Sequence, residues 1–370
     1  MNTFLLIFSP SQWIFIGITF FLFVVTTLYL FILYYHPSFH KIRVQRDDGR
    51  IWPSVSVVLC ATNEYKMLRR MLPVLLTQDY PCYEVVVVND RSQDNSEILL
   101  RTLQDKYPHL QSRTTSTDDR FGRSPALAIG MGIRAAQYDT ILCIEADCLI
   151  KDSQWIRSMA TPYGGNCEIV LGHTTHYKCS LLQRCDLLLH ALHYMGRAAV
   201  KRPYFGIGSN LLFKKSLFYD NNGFNVRLTR GHFPLSVFFG EVAKRNNCDI
   251  CTIPSGVNHS RVKLNGKMWT IYLKMRNRSI AMSPKSTKHP MLLESTLRLF
   301  FYLAITVAIF LYVHKISLLL IFYSMLFFRL LMVFLVYRDI RKKLDDKGLA
   351  FPFLCWDVLF PIINIYRFFR

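Results

Sequence analysis

The residues of this chain best suited to chemistry are acids that close short apolar runs. Glu145-Ala146-Asp147 ends Thr140 to Ile144 (TILCI), Asp90 follows Glu84 to Asn89 (EVVVVN), and Glu64 comes shortly after Val55 to Cys60 (VSVVLC). Two acids with one residue between them at a strand end are expected here to point both ways from the sheet edge, so that one can meet a cation while neighbours hold the other. Hard oxygen ligands of this kind suit Mg2+ or Mn2+ bridging two phosphates. Asp147 is the expected metal ligand and Glu145 its support. Glu64 and Asp90 offer acceptors for a base and a ribose, and Arg123, after Gly122 and just before a helix start, suits a phosphate.

The elements that must position these acids follow from the pattern around them. The runs Val55 to Cys60 and Glu84 to Asn89 are too short for helices and rich in Val, as fully buried parallel strands are, and Thr140 to Ile144 reads as the next buried strand. Asp94, three residues before Glu97, reads as a capping box, and Ser124-Pro125 as the N-cap and first-turn pair of a helix to about Ala136. From Ser54 to about Ile253 the alternation predicts an α/β domain with a parallel sheet covered by helices on both faces. Ligands of open α/β sheets bind at the carboxyl ends of strands, so the three acidic clusters mark one crevice.

The ends of the chain read differently. Trp13 to Tyr35 has no charged residue and about the 20 residues a spanning helix needs. With no basic n-region and no small-residue cleavage site, it reads as a retained anchor. Leu299 to Val313 and Ile316 to Tyr337 form an apolar hairpin with Arg329 as the one charge inside. The tail from Phe351 to Arg370 is apolar but interrupted by Pro352 and Pro361, which predicts a broken segment lying in the membrane interface. Lys41, Arg43, Arg46 and Arg50 follow the first run and Arg338 to Lys347 follow the hairpin, so the middle domain is expected to face the cytoplasm. The expected organisation is 1–50 anchor and basic flank, 51–260 α/β domain, 261–295 basic amphipathic interfacial segment, 296–338 transmembrane hairpin, and 339–370 basic segment and tail.

The formal net charge of +20 invites a nucleic-acid reading, but no nucleic-acid motif accompanies it. Residues 261–288 carry eight Lys and Arg and no acid, interleaved with Trp269, Tyr272 and Ile280, a composition that suits an anionic membrane surface. The ten cysteines are expected to be reduced in a cytoplasm-facing chain. Cys248 and Cys251 have CxxC spacing but lie in a strand-like segment. The run Cys167 to His193, rich in Cys and His, gives no ligand quartet with zinc-finger spacing.

Residues 54–64 (SVSVVLCATNE), 78–96 (QDYPCYEVVVVNDRSQDNS) and 122–150 (GRSPALAIGMGIRAAQYDTILCIEADCLI) resemble, in order, the opening, Asp and DxD regions of the inverting family-2 glycosyltransferases. The resemblance implies a GT-A nucleotide-sugar-binding fold flanked by membrane helices. It implies that Glu64 and Asp90 bind the nucleoside and that Asp147 binds the metal on the diphosphate. Gly206-Ile-Gly208-Ser-Asn210 is similar to the family's Gly-rich segment beside donor sugar and acceptor. In the family an Asp in a later acidic motif takes the proton of the acceptor hydroxyl. The matching place here, after Gly223-Phe224, reads Arg230-Gly-His-Phe-Pro-Leu235, where His232 is the one titratable side chain after Arg230. Arg276 fits the arginine of the family's interfacial-helix motif, with Leu273 and Asn277 in place of its Gln and aromatic partners.

The expected partners are therefore a nucleotide-diphosphate sugar, a lipid-linked or membrane-proximal glycan acceptor and membrane lipids, with no nucleic acid. The rival reading is a family member that binds donor without turnover and acts as a scaffold.

Overall fold

The computed structural model describes residues 8–35, 51–115, 125–150, 152–164, 167–176, 179–200, 208–224, 249–253, 260–261, 285–344 and 352–369, with isolated positions between 203 and 277. The chain divides into two units. One comprises residues 1–36, 285–342 and 346–370; the other comprises 37–284 with 343–345.

The first unit opens with helix α1 (Pro10–Tyr29). Ser9 caps it, its hydroxyl accepting from the Gln12 amide while the Gln12 side chain accepts from the Ser9 amide.

The second unit is an α/β layer structure. Its first half runs β1 (Val55–Ala61), α2 (Tyr65–Leu75), β2 (Tyr83–Asn89), α3 (Ser96–Lys106), β3 (Leu110–Thr114), α4 (Pro125–Ala135), β4 (Thr140–Cys143) and α5 (Trp155–Ala160). Its second half runs β5 (Cys167–Gly172), β6 (Thr175–His176), α6 (Leu181–Ala199), β7 (Leu211–Lys214), α7 (Lys215–Asp220), β8 (Asp249–Ile253) and β9 (Ser260–Arg261). Seven strands form one sheet in the order β3-β2-β1-β4-β7-β5-β8. β1, β2, β3 and β4 are parallel, as the Val-rich runs of β1 and β2 predict for that pair, but β7 runs antiparallel to both β4 and β5. The sheet is mixed, a correction to the all-parallel expectation. Leu211-Leu212-Phe213 is buried on both faces like its neighbours, so its composition carries no sign of its direction.

Both faces are covered. Val55, Val57 and Leu59 of β1 join Leu68, Met71, Leu72 and Leu75 of α2 and Trp155, Ile156 and Met159 of α5 in one core. The opposite face takes α4, where Gly132 sits so close that an added Cβ would lie 2.6 Å from Val58 Cγ1. Pro125 opens α4 at the expected place. At the start of β2 the buried Glu84 carboxylate accepts from Ser56 Oγ, Gln111 Nε2 and the Gln137 amide, joining three elements at the edge opposite the acidic clusters. Cys167 of β5 and Cys251 of β8 form a disulfide, against the expectation of reduced thiols. The two strands are neighbours in the sheet, with Cα atoms 6.1 Å apart. Cys248 lies outside the described residues.

The first unit is completed by α8 (Lys285–Leu311), α9 (Ile316–Lys343) and α10 (Pro352–Phe369). Pro10–Ile32, Met291–Leu311 and Ile316–Lys342 are long and apolar enough to cross a membrane. Leu22 of α1, Phe301, Ile305 and Ala308 of α8, and Leu318 and Phe322 of α9 pack together. Arg329 is fully buried, its Nη1 donating to the Thr26 carbonyl of α1 and its Nη2 to Asp357 of α10. Asp357 also accepts from Arg298 Nη1 at 3.1 Å and Tyr302 Oη at 2.6 Å, and Arg298 pairs with Glu294. The tail is thus one helix with Pro361 inside it, which corrects the expected break. A proline inside a helix costs about 3 kcal/mol. Here the ion cluster and the stack of Phe353 on Tyr337 at 4.2 Å outweigh it.

Candidate functional site

The parallel order β2-β1-β4 brings the carboxyl ends of three strands to one edge. Because β7 is antiparallel, its leading end lies at the same edge, with Leu211 paired to Cys143 of β4 on one side and Leu171 of β5 on the other. Glu64, Asp90, Glu145, Asp147 and the Gly208–Asn210 turn therefore share one margin of the sheet.

The loops after β1 and β2 are laced together. Asn63 and Arg91 adopt left-handed backbone conformations, φ +56° and +53°, which non-glycine residues hold only when neighbours fix them. The Asn63 amide donates to Ser92 Oγ, the Gln93 amide donates to Asn63 Oδ1, and the Asp90 amide donates to the Ala61 carbonyl. Asp94 does not form the expected capping box. Its carboxylate accepts from the Tyr65 amide at the start of α2 and from the Ser96 amide, while Glu97 pairs with Arg101 one turn on. Partial burial raises the Asp94 pKa, but its bonds from Ser96 and Tyr65 outweigh this and hold it below the usual range. With Asp94 capping α2, the Glu64 side chain makes no cap bond there.

Asp90 is buried, and its Oδ1 accepts from Thr115 Oγ1 at 2.8 Å with Arg91 Nε 3.6 Å away. Behind it burial, and then the charge of Asp90, push the Cys60 thiol up to about 12, so it stays protonated. Glu145, Asp147 and Cys148 bring their ligand atoms within 4.8 Å of one another, both carboxylates half-buried. The two carboxylates converge, as residues two apart at a strand end share a side, which corrects the expectation that they point apart; together they fit a hard divalent cation, whereas the buried Cys148 thiol would favour a softer one. The set fits Mg2+ or Mn2+ through Asp147 and Glu145. The Cys and His run from Cys167 to His193 supplies no such group among the described residues.

The Gly-rich segment is shaped by packing. An added Cβ on Gly206 would lie 2.7 Å from Leu171 Cδ2, and one on Gly208 would lie 2.6 Å from Leu235 Cβ. These glycines thus permit close approach of neighbouring side chains, and Gly208 seats the residue that ends the Arg230–Leu235 segment. Asn210 is fully buried; its Oδ1 accepts from Trp155 Nε1 and its Nδ2 donates to the His173 carbonyl, both at 3.1 Å. Its amide is engaged within the protein, where the resemblance implied a sugar contact. Arg276 is likewise engaged, its Nη1 2.7 Å from Oδ2 of Asp186 on α6. The basic segment expected on a membrane surface thereby places one arginine inside the α/β unit. Arg123 and His232 lie outside the described residues.

His173, part of the Cys and His run weighed for a metal, and Thr174 lie at this same edge. Thr174 Oγ1 meets Ser209 Oγ at 3.0 Å, and burial pushes His173 down to about 4, keeping its ring neutral. Their signal is positional, since they directly follow Gly172 at the end of β5.

Residues 56–220, from β1 to the end of α7, match the model of glycosyl transferase family 2. The poly-β-1,6-N-acetyl-D-glucosamine synthase of Staphylococcus epidermidis is 26% identical over 129 residues, 35% of this chain and 30% of that enzyme. The same synthase of Staphylococcus aureus strain COL is 26% identical over 96 residues, 26% of this chain and 22% of the relative. The chain thus spans less than a third of the length of these curated relatives. A mannosyltransferase of Pyrobaculum calidifontis, solved in complex with GDP-Man and Mn2+, shares the fold with a TM-score of 0.54 at 19% identity, over 80% of this chain and 86% of that one. Residues 56–220 of the α/β unit thus match glycosyl transferase family 2, and the unit has a GT-A type fold, on a chain with three helices long and apolar enough to span a membrane.

Proposed function

We propose that this protein is a membrane glycosyltransferase that moves a hexosyl group from a nucleotide-diphosphate donor to a lipid-linked or membrane-proximal glycan acceptor, with inversion. The observation that carries the reading is the convergence of Glu64, Asp90, Glu145 and Asp147 on one sheet edge beside the Gly208–Asn210 turn. Asp90 and Glu64 accept from the nucleoside, and Arg123 balances the diphosphate, while Arg276, which the resemblance assigned to the donor, is taken up by Asp186. Mg2+ or Mn2+ held by Asp147, with Glu145 in support, would neutralise the leaving diphosphate. Gly206, Gly208 and Asn210 shape the floor under the transferred sugar through their packing on Leu171, Leu235 and Trp155.

His232 takes the proton from the acceptor hydroxyl as that oxygen attacks the anomeric carbon and the diphosphate departs from the other face. Support comes from Leu235, three residues on, which seats on Gly208. The basic flanks of the apolar runs favour a cytoplasmic α/β domain.

The test is transfer by the full-length protein from a panel of nucleotide sugars, with and without Mn2+ and across pH. The expected result is metal-dependent transfer that declines as pH falls below about 6.5, where an ordinary imidazole protonates, and that is lost in His232→Ala. Donor binding without any transfer by wild type or His232→Asp would overturn the enzymatic reading; full activity of His232→Ala would move the base elsewhere.

A further inference from the structure

Helix α6 carries a feature that the donor site does not use. From Cys185 to Ala198 every residue of it is buried. Helices buried all round are normally apolar, yet Asp186, His190, His193 and Arg197 follow one another at helical spacing and line a single face. Arg276 meets this stripe at Asp186, and their charges cancel. Burial, then Arg276 and His193, hold His190 well below its ordinary value, so it adds no charge.

Arg197 is left over. It is 3% exposed, its Nε and Nη2 are sealed from solvent with no hydrogen-bond partner, and no carboxylate of the described residues pairs with it. A guanidinium does not lose its proton in a protein. A buried cation without a counter-charge is among the least favourable arrangements a fold can hold, unless an anion joins it.

We propose that the Arg197 face of α6 is a binding site for a phosphoryl anion, with the guanidinium as the fork that meets two phosphate oxygens. Arginine matches phosphate geometry in this bidentate way, which a lysine cannot reproduce. Arg197 stands in the last turn of α6, and the chain leads from there to Gly206 and Gly208 at the sheet margin. The phosphoryl group comes either from the donor diphosphate or from a phosphorylated lipid. The first source rests on the donor-site reading above; the second does not.

The experiment uses the full-length protein in phosphatidylcholine nanodiscs and reads the thermal midpoint. One arm adds inorganic pyrophosphate with Mn2+; the other replaces part of the lipid with phosphatidic acid. Near saturation the wild type should gain on the order of 3 °C in at least one arm. Arg197→Gln should lose that gain and Arg197→Lys should keep only part of it. If Arg197→Gln does not fold, the lysine variant decides, because it keeps the charge and loses the fork. A gain in the variants equal to that of the wild type, or no wild-type gain in either arm, overturns the proposal. Asp147→Asn separates the two readings. If it abolishes the pyrophosphate gain while Arg197→Gln keeps it, the α6 site falls and the donor site stands; the reverse pattern keeps the α6 site and removes the metal.

Discussion

Asp147 and Asp357 are both carboxylates at least partly withdrawn from solvent, and the two units treat them in opposite ways. Asp357 is fully buried between Arg298 and Arg329 with the Tyr302 hydroxyl on the same group, so each of its oxygens is held by the fold. Asp147 is half-buried beside Glu145, like charge next to like charge, at a strand end. An acid clasped by arginines ties helices together. Two acids gathered at a sheet margin make sense where a cation is to be held. Glu84 belongs with Asp357: it is buried and engaged by Ser56, Gln111 and Gln137 at the far edge of the same sheet.

The comparison is broken most forcefully at Asp357. Replacing it with Ala removes the carboxylate that Arg329 meets and leaves Arg298 with Glu294, and losing one partner of a buried pair costs about 3–5 kcal/mol. The thermal midpoint of Asp357→Ala in lipid nanodiscs should fall steeply, and an unchanged midpoint would show that the cluster does not bind α10 to α8 and α9.

A second effect comes from acid. His173 has a folded pKa pushed down to about 4 by burial, against about 6.5 when unfolded. Between those values the unfolded chain binds the extra proton, so the contribution is complete above 6.5 and is lost as pH falls toward 4, at most about 3 kcal/mol. Stability of the α/β unit followed by urea unfolding from pH 7 to 4 should drop, and His173→Gln should flatten the slope.

Gly172→Ala tests the site's floor, because the new Cβ would sit 2.0 Å from Asn210 Nδ2. Overpacking of this kind costs about 1–3 kcal/mol. Denaturant titration should register that loss, whereas Gly266→Ala, with open space around it, should not. The smallest effect is expected for Asp94→Ala, which removes the acceptor at the start of α2 and costs about 1 kcal/mol. Its native bonds depress the Asp94 pKa, so the difference from wild type should shrink as acid protonates the carboxylate.

Much of this division could be read before any coordinates. The strands that carry Asp90 and Asp147 are short apolar runs, Val-rich in the first case, with an abrupt polar end, and their length argues for buried strands. Long uncharged helices announce themselves in the same way. What was hidden has a common cause, namely pairing at long sequence distance. Arg329 stood out as a lone charge in an apolar run, but nothing local names Asp357 or Thr26 as its partners. β7 is as apolar as the parallel strands of the sheet, and its direction is set only by where the chain returns to the sheet. Asp94 looked like a cap for α3 because Glu97 stands at the right spacing. The fold brings α2 close enough for the same carboxylate to take the Tyr65 amide instead.

The central claim is that the acids at this sheet edge hold a divalent cation on a nucleoside diphosphate, and calorimetry tests it most directly. UDP and GDP are each titrated into the full-length protein and into Asp147→Asn, with and without Mn2+. The account predicts wild-type binding of one of them that requires Mn2+ and weakens by about 100-fold or more in the variant, since such an ion is worth several kcal/mol on a diphosphate. Equal affinity in wild type and variant, or binding indifferent to Mn2+, would contradict it.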